Sequence, residues 1–117
     1  MSTTNYSKYE LLLVRYPFSD LSRSKIRPAV VVSEPHISQD IIVVPLTSRT
    51  SSLLPGEFVL TRWSEAGLNV ETAVKRGLYT VDRSLAIKKI GQLAKVDIDR
   101  LEQSLQVWLG ASQFCKC

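Results

Sequence analysis

The sequence predicts a small, mainly β domain of the α+β kind, a compact barrel of roughly five or six short strands covered by one C-terminal amphipathic helix. Three observations predict it. Strand-sized apolar or alternating runs, broken by polar loops, fill the chain up to Leu93. From Ile98 onward the apolar residues recur instead at spacings of three and four. And 117 residues, 44% hydrophobic and 22% charged, have the length and composition of one globular domain with its own core.

The elements follow in order. Tyr9 to Tyr16 (YELLLVRY) is a continuous apolar run flanked by charge. Ile26 to Ser33 (IRPAVVVS) is rich in β-branched residues, and Pro28 places its start at an edge or a bulge, because proline cannot donate to a ladder. Asp40 to Leu46 (DIIVVPL) is the third strand, with Pro45 near its end. Glu57 to Arg62 (EFVLTR) alternates in the period of a half-buried strand. Thr72 to Val81 and Ile87 to Leu93 carry fainter strand patterns, separated by a polar turn at Asp82 to Ser84. The helix presents Ile98, Leu101, Leu105, Trp108 and Leu109 as one stripe, with Asp97 to cap its first turn and Gly110 to end it. Trp108 belongs to the core, whereas Trp63 serves either the core or a dimer contact. Residues 1–8 read as a tail, 9–110 as the domain and 111–117 as a second tail. Two loops are long and polar: Pro17 to Lys25 and Thr47 to Gly56.

Lys and Arg number 15 against 11 Asp and Glu, a net charge of +4. A small basic domain fits a polyanionic partner, although net charge speaks to encounter rather than to fold. The excess is local. Arg15 to Arg27 holds Arg15, Arg23, Lys25 and Arg27 against Asp20; Lys75 to Lys95 holds Lys75, Arg76, Arg83, Lys88, Lys89 and Lys95 against Asp82. Either these runs are a solvated surface or they follow a nucleic-acid backbone, with Phe18 and Tyr79 as stacking faces for unpaired bases. No apolar run nears the roughly 18–20 residues of a membrane span, and the polar N-terminus lacks a signal-peptide core, so no membrane association and a cytoplasmic location are expected. The two cysteines, Cys115 and Cys117, and the lone His36 supply at most three of the four ligands zinc prefers. The expectation is two reduced tail thiols, an exposed, inert His36, no metal site and no cofactor.

At Pro17 to Ser33 a pattern emerges. PFSD, a short loop and KIRPAVVVS resemble the second-strand signature of the PemK/MazF toxins of bacterial toxin–antitoxin pairs. Ile42 to Ser48 (IVVPLTS) is similar to that family's third strand and hydroxyl loop. Thr80 to Leu93 (TVDRSLAIKKIGQL) is similar to its late turn and following strand, and Lys95 to Gly110 to its C-terminal helix. The resemblance implies an SH3-like barrel of the PemK/MazF/CcdB type and a homodimer. It further implies metal-independent endoribonuclease activity on single-stranded RNA, and an antitoxin partner that covers the RNA site and joins the toxin in binding DNA. It carries Arg27, Thr47 and Ser48 over as catalytic. Phe18, Ser19 and Lys25 in the first loop, with Lys75, Arg76 and Tyr79 later, are the candidate RNA contacts.

Two departures stand out. Tyr9-Glu10 occupies the place where the family usually has Gly-Asp. An Asp-Gln pair that serves some members as base and acid falls, counting back from Thr80, on Arg76-Gly77. This chain therefore works through the arginine and threonine or is catalytically impaired. The rival readings are an RNA-binding barrel that does not cut, and a poison of a protein target such as gyrase.

Metal-free RNA cleavage runs through attack of a 2′-hydroxyl on the adjacent phosphorus. It needs a proton acceptor, protonation of the departing 5′-oxygen, and cations on the non-bridging oxygens. One histidine excludes a two-histidine pair within the chain. Arg27 suits the charge, since a guanidinium forks onto two phosphate oxygens and stays protonated at any working pH. Thr47 and Ser48 can orient the 2′-hydroxyl or donate to phosphate. The alternative for Arg27 is a surface ion pair at a strand edge. For Thr47 and Ser48 it is a turn bond to their own backbone.

Overall fold

The computed structural model describes residues 6–16 and 25–110, with backbone alone at Tyr16 and Lys25. Phe18, Ser19, the loop before Lys25 and the two cysteines lie outside the described residues. Seven strands form one antiparallel sheet: β1 (Glu10–Tyr16), β2 (Lys25–Val31), β3 (Asp40–Thr47), β4 (Phe58–Val59), β5 (Ala73–Val74), β6 (Tyr79–Asp82) and β7 (Ala86–Gln92). Helix α1 (Lys95–Leu109) follows. The sheet runs β4-β5-β3-β2-β1-β7, with β6 also on β3. The expected mainly β, barrel-like domain with a terminal helix is the observed architecture.

Both faces of the central strands are buried, which is why they read as continuous apolar runs rather than alternating ones. Alternate residues sort between two cores. Leu11, Val30, Val44, Leu46 and Val74 pack with Phe58, Leu60, Leu93 and Leu101, beneath the helix side chains Ile98, Leu105 and Trp108. Leu12, Val14, Ala29, Val31, Ile41, Val43 and Val81 form the other core. Trp63 packs against the first. Leu109, expected in the helix stripe, is instead 62% exposed.

The two prolines mark where pairing ends. β2 pairs with β3 only from Ala29 to Val31, while Pro28 pairs with Leu13 of β1 alone. The missing N–H thus falls where β2 has one neighbour, as an edge proline requires. Pro45 accepts the Lys75 N–H at 3.0 Å, so its own missing N–H faces the same edge of β3. The partner strand breaks opposite it. The expected Thr72 to Val81 strand is therefore two: β5 pairs at Leu46 and Thr47, and β6 pairs from Asp40 to Val43.

Two other expectations are corrected. The Glu57 to Arg62 strand shortens to Phe58–Val59, because the chain turns away at Thr61. Its cause is the residue expected to cap the helix. Asp97 does not cap α1; Ala94 is the N-cap and makes no side-chain bond. Fully buried, Asp97 instead accepts the N–H groups of Thr61 at 2.8 Å and Arg62 at 3.0 Å. Gly110 does end the helix, at φ 71° in the left-handed region that favours glycine.

The glycine in the stretch KKIGQL has a steric explanation. A Cβ on Gly91 would lie 2.1 Å from the Ala66 carbonyl oxygen, so the sheet and the turn before β5 touch backbone to backbone. At Tyr9 the backbone takes φ 72°, the left-handed region. That is where the family resemblance expects glycine. Here a tyrosine takes it, held by Tyr9 N–H to Val31 O at 2.6 Å and Leu93 N–H to Tyr9 O at 2.9 Å. The neighbouring Glu10 pairs with Lys89 at 2.9 Å.

Candidate functional site

Strand register assembles one face. Ala29 lies opposite Pro45, and Val31 opposite Val43. The same register carried two residues further sets Arg27 opposite Thr47, just beyond the last paired row. On the far edge of β3, Thr47 faces Ala73, the Lys75 N–H meets Pro45, and Tyr79 faces Val43. Opposed residues of an antiparallel pair share a face, and i, i+2 residues keep it. Arg27, Thr47, Lys75 and Tyr79 therefore project from one face, the one that buries Ala29, Val31 and Val43 further along. Strands lie about 4.8 Å apart and rise about 3.3 Å per residue. Arg27 to Lys75, two strands across and two residues along, is about 12 Å at Cα, roughly two nucleotide steps of an extended strand.

The side chains of this face differ in exposure and in partners. Arg27 is exposed, and its one described bond is a long 3.4 Å contact from Nη1 to its neighbour's carbonyl, at Ile26. Among the described residues it forms no ion pair, so the alternative role of a strand-edge salt bridge is absent there. Thr47 is half-buried, and its Oγ1 accepts the Arg49 N–H at 3.1 Å. That is the turn bond expected of a threonine there, and it leaves the hydroxyl proton to donate outward. Ser48 is exposed one residue on. Lys75 and Arg76 are exposed. The Tyr79 ring lies beside Gly77 and Pro45.

Not every predicted residue converges. The second basic segment divides. Lys75 stands at this face, whereas Lys89 pairs with Glu10 on the β1–β7 side and Lys95 pairs with Asp99 on the helix at 2.8 Å. Arg76 turns toward the helix end, where it lines a shallow groove with Leu78, Leu105, Trp108 and Leu109. His36 is exposed in its loop, bonded to Ser38 at 3.0 Å. Among the described residues no three His, Cys, Asp or Glu side chains are grouped to hold a metal ion.

One residue of the site escapes the sequence pattern, which marks Glu57 only as a strand start. Its Oε1 accepts the Leu54 N–H at 2.7 Å and its Oε2 the Arg76 N–H at 2.8 Å. Burial pushes its carboxyl upward, but the two N–H groups and the charges of Lys75 and Arg76 outweigh that and hold it below the usual glutamate value. The local part of this arrangement, a glutamate three residues after Leu54 around Pro55-Gly56, is a turn signal; the bond across to Arg76 has none. Asp82 likewise is held low, chiefly by accepting the Ser84 N–H at 2.8 Å.

The fold has clear relatives. The MazE–MazF complex of Deinococcus radiodurans (Form-II) superposes with a TM-score of 0.75 at 20% identity, covering 94% of this chain and 100% of that one. An endoribonuclease in complex with its cognate antitoxin, from a mycobacterial species, gives 0.72 at 15% identity, over 90% and 95%. The Mycobacterium tuberculosis toxin MazF-mt6 gives 0.67 at 18% identity, over 86% and 96%. No curated protein sequence matches the chain. The family profile described as "PemK-like, MazF-like toxin of type II toxin-antitoxin system" matches residues 7–109. With nearly the whole described domain inside that match, the chain belongs to the PemK-like, MazF-like toxin family.

Proposed function

We propose that this protein is the toxin of a toxin–antitoxin pair and acts as an endoribonuclease on single-stranded RNA. The observation that carries the reading is Arg27 set opposite Thr47 on one face at the end of β2 and β3, with Arg27 making no ion pair among the described residues. Family membership and the endoribonuclease relatives support it. An antitoxin partner is supported by the relatives found in complex with theirs. A homodimer, pairing two such faces into a longer basic surface, completes the reading.

The chemistry assigned to the face is phosphoryl transfer within the RNA. The 2′-oxygen attacks the adjacent phosphorus and its proton departs. The bond from phosphorus to the 5′-oxygen breaks and that oxygen gains a proton, leaving a 2′,3′-cyclic phosphate and a 5′-hydroxyl. Arg27 lies where its guanidinium can fork onto the two non-bridging oxygens as their charge grows, often the largest single catalytic effect. The Thr47 hydroxyl, with its oxygen already engaged by the Arg49 N–H, donates to a phosphate or 2′-oxygen, and Ser48 adds a second hydroxyl. Lys75 meets a flanking phosphate and Tyr79 offers a stacking face. Lys25, Phe18 and Ser19 belong to the same reading through the first loop.

A second reading follows from one observation. Arg76-Gly77 stands where some members carry Asp-Gln, and the carboxylate beside that segment, Glu57, is engaged with two backbone N–H groups. The missing Asp-Gln pair favours a barrel that holds RNA without cutting it. Incubation of the purified protein with single-stranded RNA in EDTA separates the two. The ribonuclease yields fragments ending in cyclic phosphate, and the binder retards intact RNA in a salt-dependent way. Arrested growth with whole cellular RNA would point to a protein target instead.

A further inference from the structure

We infer that Glu57 is a positioning residue for RNA binding: its carboxylate ties the Lys75–Arg76 segment to the loop after β3 and so holds Lys75 on the face of Arg27 and Thr47. The inference rests on the ribonuclease reading above and deepens it. One carboxylate takes N–H groups from two segments far apart in sequence, Leu54 at 2.7 Å and Arg76 at 2.8 Å. The loop at one end is itself anchored on α1. Ser104 Oγ donates to the Gly56 carbonyl at 2.6 Å, and Trp108 Nε1 donates to the Pro55 carbonyl at 3.1 Å. Gly56, at φ 88°, passes so close to the indole that a Cβ would lie 2.3 Å from Nε1. The segment at the other end is anchored on β3 by Lys75 N–H to Pro45 O. Glu57 is thus the joint between a helix-bound loop and the cationic segment.

Three cations face that joint: Lys75 and Arg76 from the segment, and Arg100 from α1, which lines a groove with Glu57 and stacks over the Phe58 ring at 4.4 Å. The carboxylate faces backbone with both oxygens, so it acts through Lys75 rather than on the RNA. Its removal frees the Arg76 N–H and lets the segment carrying Lys75 wander, at a cost to phosphate binding rather than to the chemical step.

The test is steady-state cleavage of a mixed-sequence fluorescent single-stranded RNA across a range of NaCl concentrations. It compares wild type, Glu57→Ala, Glu57→Gln, the pair Lys75→Ala with Arg76→Ala, and the triple change. Glu57→Ala is expected to raise KM about tenfold, keep kcat within about twofold, and flatten the slope of log KM against log salt by about 0.7 for each phosphate that is no longer neutralised. In the triple variant Glu57→Ala adds nothing, because the residues it positions are gone. Glu57→Gln, with one acceptor left, falls between, and carries the same comparison if the alanine variant does not fold. A merely structural glutamate leaves the salt slope unchanged and multiplies the effect of the pair; either result overturns the inference, as does a fall in kcat alone. Wild type that leaves RNA intact overturns the ribonuclease reading and this inference with it. Wild type that cuts while the variants combine multiplicatively overturns the inference alone.

Discussion

The Tyr9 hydroxyl donates a hydrogen bond to Glu102, joining the residue before β1 to the middle of α1. Tyr9 holds a left-handed backbone conformation that a tyrosine seldom adopts, and this bond, with two backbone bonds, offsets the strain. Burial, then the bond to Glu102 and that carboxylate's charge, push the phenol well above its ordinary value near 10. The folded state therefore keeps a proton that the unfolded state releases above about pH 10. The stabilisation is complete below that pH and disappears as pH rises toward the folded value. Urea unfolding from pH 8 to 11 should show wild type losing more stability than Tyr9→Phe; parallel curves would remove the linkage.

Arg27 carries the catalytic assignment and almost none of the packing. Arg27→Ala should lower kcat by about 10²–10³, the usual penalty for removing one stabiliser of developing charge. Its melting temperature should stay within about 2 °C of wild type, because the side chain is exposed and its one described bond is long. A variant that cuts at the wild-type rate removes Arg27 from the site.

Asp97 should behave in the opposite way. Its buried carboxylate holds the Thr61 and Arg62 N–H groups, which have no other partner described. Asp97→Ala is expected to cost about 2–4 kcal/mol in urea unfolding, and Asp97→Asn, with one acceptor left, about half of that. Equal, small effects for both would mean that water replaces the carboxylate.

Gly91→Ala places a methyl group against the Ala66 carbonyl, two backbones that cannot both stay where they are. A destabilisation of about 1–3 kcal/mol, with looser packing between β7 and the turn at Ala66, is expected from calorimetry and amide exchange. An unperturbed melting temperature would show that the turn yields freely.

What the sequence made legible follows from range. β1, β2 and β3 could be read because burial on two faces turns them into apolar runs, and α1 because its stripe changes period. The Arg27 and Thr47 pairing could be placed by resemblance, and the register then sets the two residues opposite each other. What stayed hidden depends on contacts between distant segments. Asp97 reads as a helix cap until Thr61 is known to lie against it, and Thr72 to Val81 reads as one strand until Pro45 is set opposite its middle. Glu57 gives no hint in the sequence of its bond to Arg76, 19 positions away.

The alternation of β3 between two cores has a further implication. Val44 and Leu46 fill one, Ile41 and Val43 the other, and the same alternation turns Thr47 toward Arg27. A slip by one residue would exchange the cores and send the threonine to the wrong side. The placement of Thr47 toward Arg27 is thus tied to the hydrophobic sorting of its strand. Substitutions that loosen either core would therefore disturb this face along with the packing.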